Sequence, residues 1–228
     1  LLVAAAVSDV AFRNNIVEQV CDPDHDGLCS LDYSRSLVGK VVSDLLTAES
    51  EAALHAGVRV NVVGLDNVFE AARRNSIEHL VYASSVAVFG SAEDYSSPTI
   101  GPDEERLPTT LYGVWKCANE STARIYGADY SLPSVGLIPH TIYGPGRDQG
   151  LTSQPTSAIL AAVRGAPYHI EYGGVLGLQF APDAARAFIE AARLASEGSE
   201  IHGLGGTVAS IADFVDSVKE VTGFDEIT

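Results

Sequence analysis

A chain of 228 residues, 46% hydrophobic and 19% charged, is long enough to bury one α/β core, and no apolar run in it reaches the ~18–20 residues that span a bilayer. Its 14 Lys and Arg stand against 30 Asp and Glu, a net charge of −16, which is the wrong sign for a surface that neutralises nucleic-acid phosphates. Cys21, Cys29 and Cys117 are sparse and lack metal-type spacing, so reduced thiols in a cytoplasmic protein are expected.

The opening run, Leu1–Val7, is small and apolar, as a buried parallel strand is. Ile16–Cys21 predicts a short strand ending at the turn Asp22-Pro23. Residues 22–33 repeat the first half of a calcium loop, with Asp22, Asp24, Asp26 and Gly27 in place. The twelfth position, which needs a bidentate Glu, is Tyr33, so a solvated acidic turn is the better reading. Helical periodicity runs through Glu49–Asn75 and puts Leu54, Val58, Val62, Leu65, Phe69 and Ala72 on one face. Asn61 lies inside that helix, and Gly64 marks close packing against another element.

Ile77–Ala83 reads as a buried strand, and Ser84-Ser85 lies at its end, where open α/β sheets place their chemistry. Gly90–Thr110 is a loop of the length and composition of a substrate-side lid. A helix is predicted from Tyr112 to about Tyr126. The four-residue spacing puts the Tyr112 phenol and the Lys116 ammonium on one face. An ammonium beside a phenol favours the phenolate and suits the tyrosine to proton transfer near neutral pH. The same spacing fits an amphipathic helix with a solvated lysine; the serines at the strand end tip the balance. Further on come a strand at Pro133–Ile138, a helix at Gln154–Arg164, a short strand at Tyr168–Tyr172 and a helix at Pro182–Ser196. Ser210 and Asp213 form a capping box that opens a last helix, to about Val221. The six histidines are scattered, so no metal site is expected.

The segments VYASSVAVFG (81–90), YGVWK (112–116) and GLIPHTIYGPGRDQG (136–150) resemble the extended short-chain dehydrogenase/reductase family, in its NAD-dependent epimerase/dehydratase branch. The resemblance runs from about Val20 to about Val221. It implies an α/β fold, a doubly wound parallel Rossmann-like sheet, with a dinucleotide-binding domain over 1–150 and a mostly substrate-binding region over 151–228. It makes Leu1–Val7 the second strand of that sheet. The first strand, the glycine-rich phosphate turn and the first helix are then expected upstream, and further chain downstream, so the sequence reads as a piece of a longer protein.

The resemblance assigns catalysis to Ser85, Tyr112 and Lys116. It assigns the cofactor, NAD or NADP, to Asp22, Gly39, Asn61, Ser84, Tyr112, Lys116 and His140, and substrate contacts to Ser85 and Thr141. The substrate class it implies is a sugar or sugar nucleotide. It also implies a homodimer built on the helices carrying Asn61 and Tyr112, through Val63, Val68, Trp115, Ala118 and Ile125. Two residues depart from the family pattern: Leu37 stands where a His is customary, and Ile138 where an Arg is. With the absent glycine turn, they sustain a rival reading, a non-catalytic binding or scaffold relic.

Overall fold

The computed structural model describes residues 2–4, 57–97, 99–147, 150–194 and 196–228. Strands β1 (Leu2–Ala4), β2 (Leu80–Ala83), β3 (Ser134–Ile138) and β6 (Ser199–Gly203) form an all-parallel sheet in the order β1-β2-β3-β6. In a second sheet β5 (Val175–Phe180) pairs in parallel with β4 (Thr141–Tyr143) and antiparallel with β7 (Thr207–Ser210). The α-helices are α1 (Gly64–Arg74), α2 (Leu111–Tyr130), α3 (Gln154–Val163), α4 (Ala181–Arg193) and α5 (Ile211–Thr222).

A strand covered on both faces has no solvent side, and β2 and β3 are buried at every residue. Alternation sorts their side chains. Leu80 and Tyr82 pack with Leu65, Phe69 and Ala72 of α1, Ala123 of α2 and Leu132 on one face. Val81, Ala83, Val135 and Leu137 pack with Ala181, Ala184, Ala185 and Phe188 of α4 on the other. Phe69 and Phe188 are fully buried, worth about 1.5–3 kcal/mol each in area removed from water. A separate core joins α3 to α5 through Ala158, Ala162, Ile211, Val215 and Val218.

Several elements depart from expectation. A π-helical turn, Arg59–Val63, precedes α1, with the Gly64 N–H bonded to Arg59 O. Its extra residue shifts the helical register, so Val58, expected on the buried face, is exposed, while Asn61, four residues before Leu65, is buried. Helix α2 runs to Tyr130 rather than Tyr126, closed by Ser131 in the left-handed conformation. The strand expected at 168–172 reduces to one bridge, Tyr168 to Ile227. Strand β1 pairs directly with β2, whereas the second strand of a doubly wound sheet lies away from the strand ending in the serines. The expected strand at 16–21 and the calcium-like turn lie outside the described residues. Among the described residues, no helix is long and apolar enough to cross a membrane.

Because β2 and β3 run in parallel, Ser84-Ser85 after one and Pro139-His140 after the other meet at the same edge of the sheet. The backbone keeps them in step beyond the strands: Ser84 N–H donates to Leu137 O (2.8 Å) and Val86 N–H to Pro139 O (3.2 Å).

Candidate active site

The two serines have different tasks. Ser84 is 1% exposed, and its hydroxyl donates to Glu120 Oε1 at 2.5 Å. Ser85 is half-buried and caps a short 3-10 turn, Val86–Val88, its Oγ accepting from Ala87 N–H (3.2 Å). That bond uses a lone pair and leaves the Ser85 proton to be donated elsewhere.

Helix α2 brings Tyr112 and Lys116 to this edge. Thr110 caps it, its Oγ1 accepting from Gly113 N–H at 3.1 Å. Gly113 allows the approach: a Cβ there would stand 2.0 Å from Ala87 O and 2.9 Å from Pro108 Cβ. Only a bare backbone lets the helix start press onto the turn that Ser85 caps, and this sets Tyr112 beside the serines. One turn on, Lys116 is fully buried; its Nζ donates to Ala83 O (2.9 Å) and lies 5.5 Å from the centre of the Tyr112 ring. An ammonium taken out of water is costly unless paired, and carbonyl and aromatic face both favour it. The solvated-lysine alternative is thereby excluded.

Asn61 is 1% exposed within the π turn, a feature frequent at functional sites. Its Nδ2 donates to Gly57 O (3.1 Å), and its Oδ1 has no partner among the described residues. His140 stands exposed at the end of β3, its ring against Gly177, where a Cβ would come within 2.7 Å of Nδ1. Partial desolvation on that side lowers the imidazole pKa and favours the neutral ring. Thr141 opens β4 in register with Leu178. A cleft of about 400 Å³ lies between His140 and Val175 on one side and Val86, Phe89, Tyr95 and Pro102 on the other. The structure therefore gathers Ser84, Ser85, Tyr112 and Lys116, and puts His140 on the wall of the neighbouring cleft. Asp22 and Gly39 lie outside the described residues.

Three contributors went unread in the sequence. Glu120 stands four residues beyond Lys116, and the continued spacing was its signal. Arg106 donates to Glu120 Oε2 from the loop before α2, at 2.8 Å. Gln179, 4% exposed, accepts from His140 N–H and donates to Gly205 O, both at 2.9 Å; nothing in the local sequence marks it. Among the described residues no group of three or more His, Cys, Asp or Glu is placed to hold a metal ion.

A parallel sheet with Ser-Ser at one strand end and a Tyr-x-x-x-Lys helix start pressed against it defines the short-chain dehydrogenase/reductase architecture. Residues 46–202 match the model of the NAD dependent epimerase/dehydratase family, and the chain belongs to that family. Among curated relatives, Protein CapI of Staphylococcus aureus is 39% identical over 101 residues, 44% of this chain and 30% of that protein. An uncharacterized epimerase/dehydratase of Staphylococcus aureus is 30% identical over 193 residues, 81% of this chain and 54% of that protein. The chain thus spans between about a third and about half of the length of these relatives. Among solved structures, MoeE5 in complex with UDP-glucose and NAD is 30% identical with a TM-score of 0.64, covering 74% of this chain and 56% of that one. UDP-glucuronic acid 4-epimerase from Bacillus cereus, 21% identical with a TM-score of 0.67 over 78% of this chain and 56% of that one, shares the fold.

Proposed function

We propose that the protein is an NAD(P)-dependent epimerase, dehydratase or dehydrogenase acting on a sugar or sugar nucleotide. The observation that carries this reading is the buried Lys116, held on Ala83 O with its charge beside the Tyr112 ring, at the strand end that presents Ser85. A solvated structural lysine has no reason to be there. MoeE5 is a complex with UDP-glucose and NAD in one structure, 30% identical, and with UDP-glucuronic acid and NAD in another, 29% identical, which supports a sugar-nucleotide substrate.

The residues fit the nicotinamide-ribose half of a dinucleotide. Lys116, bonded to Ala83 O with the Tyr112 ring 5.5 Å from its Nζ, lies at the carboxyl end of β2 that leads into Ser85, where such folds take their ligands. When bound, NAD(P) supplies hydride acceptance at the carbinol carbon. Tyr112 takes the proton from the carbinol hydroxyl as the carbonyl forms, and returns it in the reverse direction. Ser85 donates a hydrogen bond to that oxygen and stabilises its developing charge. Lys116 holds positive charge beside the phenol and anchors α2 to the end of β2. We assign Thr141 to the substrate side, and His140, Asn61, Asp22 and Gly39 to the cofactor side. We assign the dinucleotide to 1–150 and the substrate mainly to 151–228, with β6 returning to the main sheet. Sparse cysteine usage supports the cytoplasm as its compartment.

The same reading includes a homodimer. Val58 and Val63 at the π turn and Leu111, Val114 and Ile125 on α2 are all exposed, on helices packed side by side. Trp115 and Ala118 are half-buried between them and the core. Val68 is half-buried and packs against the core around Leu65 and Phe69.

Tyr112→Phe in the full-length protein tests the reading, because it removes only the ionisable oxygen. NAD reduction with UDP-glucose or UDP-glucuronic acid is expected to fall by about 10²–10⁴-fold at an unchanged melting temperature. Turnover close to wild type overturns the assignment.

A further inference from the structure

Glu120 lies one helical turn beyond Lys116 and is 7% exposed. Its two oxygens serve two separate segments. Oε1 takes the Ser84 hydroxyl at the end of β2, and Oε2 takes Arg106 Nε from the stretch just before α2. These partners lie near the two ends of residues 84–110, which begin with Ser84-Ser85 and lead into Tyr112. The guanidinium is fixed twice more: Nη1 donates to Glu104 O (2.7 Å), and its carbon lies 4.9 Å from the centre of the Phe89 ring. Between these anchors the chain forms the cleft wall at Phe89, Tyr95 and Pro102. Lys116 and Glu120 therefore grip adjacent residues, the one by Ala83 O and the other by the Ser84 hydroxyl.

We propose that Glu120 is a positioning residue: through Ser84 and Arg106 it sets the 84–110 segment so that Ser85 bears on the substrate oxygen whose proton Tyr112 takes. The proposal rests on the enzyme reading above. Its geometry is that of extended chain. Ser85 has φ −163° and ψ 151°, so successive side chains point to opposite sides, and fastening the Ser84 hydroxyl fixes which way Ser85 faces. The chemistry calls for a carboxylate, which accepts at both oxygens and balances the one charge of Arg106. Charge-assisted hydrogen bonds of this kind are roughly twice as strong as neutral ones. Glutamine keeps the shape, but it loses the charge and turns one of the two acceptors into a donor.

Two measurements on full-length protein test this. Hydrogen–deuterium exchange is compared for wild type, Glu120→Gln and Arg106→Leu. Each variant is expected to exchange about tenfold faster across amides 86–105 while the amides of α5 keep their protection. Unchanged exchange across 86–105 in both folded variants overturns the tie. The second measurement is single-turnover NAD reduction by whichever of UDP-glucose and UDP-glucuronic acid reacts, with Glu120→Gln placed in wild-type and Ser85→Ala backgrounds. Glu120→Gln is expected to slow wild type about tenfold and to add little to Ser85→Ala, since no hydroxyl is left to place. An equal loss in both backgrounds overturns positioning in favour of a purely structural role. Retained turnover in Tyr112→Phe overturns the enzyme reading instead, and exchange still decides whether Glu120 holds the segment.

Discussion

Helices α2 and α5 bury opposite kinds of residue at nearly the same spacing. Helix α5 buries Ile211, Val215 and Val218, as an amphipathic helix on an apolar core does. Helix α2 buries Gly113, Lys116, Asn119, Glu120 and Ala123, and exposes Leu111, Val114 and Ile125. Each buried charge on α2 demands a partner, because an unpaired ion inside a protein costs several kcal/mol. Those partners, Ala83 O, the Ser84 hydroxyl and Arg106, are what bind the helix to the strand end and the cleft loop. Helix α5 asks nothing of its surroundings but apolar contact and a cap. A scaffold helix is held by area, and a site-bearing helix by specific atoms; the second is less tolerant of change.

The largest expected effect is at the start of α2. Gly113→Val drives side-chain atoms into Ala87 O, a backbone atom that cannot move without shifting the turn capped by Ser85. It is expected to destabilise by about 3 kcal/mol or more, read from urea denaturation. Gly101→Ala, where a Cβ meets nothing within 4 Å, is the control, expected to stay within about 0.5 kcal/mol. Equal stability of the two variants would contradict the close approach.

The same contrast explains what could be read in the sequence. The Ser210/Asp213 capping box and the helix after it are present, because a cap and an apolar stripe are local signals. The strand before Ser84 and the helix carrying Tyr112 and Lys116 were legible for similar reasons. The exposure of Val58 was not, because a π turn is a register change that no periodicity announces. Nor was Arg106: it lies 14 residues from Glu120, in a loop whose path only the folded sheet defines. Strands β5 and β7 went unpredicted too. Four residues of β5, Val175–Leu178, gain their sheet identity from antiparallel partners on β7, about 30 positions on, and not from their own alternation.

On the solvent side the comparison inverts, since the proposed dimer face includes exposed apolar residues of α2 and none of α5. Ile125→Glu in full-length protein is expected to weaken self-association by about 2 kcal/mol, the size of an interface hot spot, and to shift sedimentation from dimer toward monomer. Val221→Glu on α5, at an 86% exposed valine, is expected to leave the sedimentation coefficient unchanged. Wild-type protein that stays monomeric at high micromolar concentration would rule the dimer out. Smaller still is the cap of α5. Ser210→Ala removes the acceptor for Asp213 N–H (3.0 Å) and the hydroxyl bonded to Asp213 Oδ2 (2.6 Å). It is expected to cost about 1 kcal/mol in a denaturant titration, and a loss below the error of the titration would show that apolar contact alone holds this helix.

The smallest effect tests whether the α1–α2 pair also draws on charge at its far end, away from the site. Glu70 on α1 accepts from Arg73 (2.8 Å) and Arg74 (2.7 Å), and the Tyr126 hydroxyl of α2 donates to it at 3.4 Å. The hydrogen bonds from Arg73 and then Arg74 bring its carboxyl down from 4.5 to about 2. A carboxylate whose folded value lies below its unfolded one stabilises the fold above the unfolded value. That contribution is lost as pH falls through the folded value. The gap in melting temperature between wild type and Glu70→Gln is therefore expected to be full above about pH 4.5 and to narrow toward about pH 2. Because the cluster is solvent-accessible, added salt should narrow it at neutral pH as well. A gap that stays constant from neutral pH to pH 2 would assign Glu70 a packing role, and would leave Lys116 and Glu120 as the charges by which α2 is held.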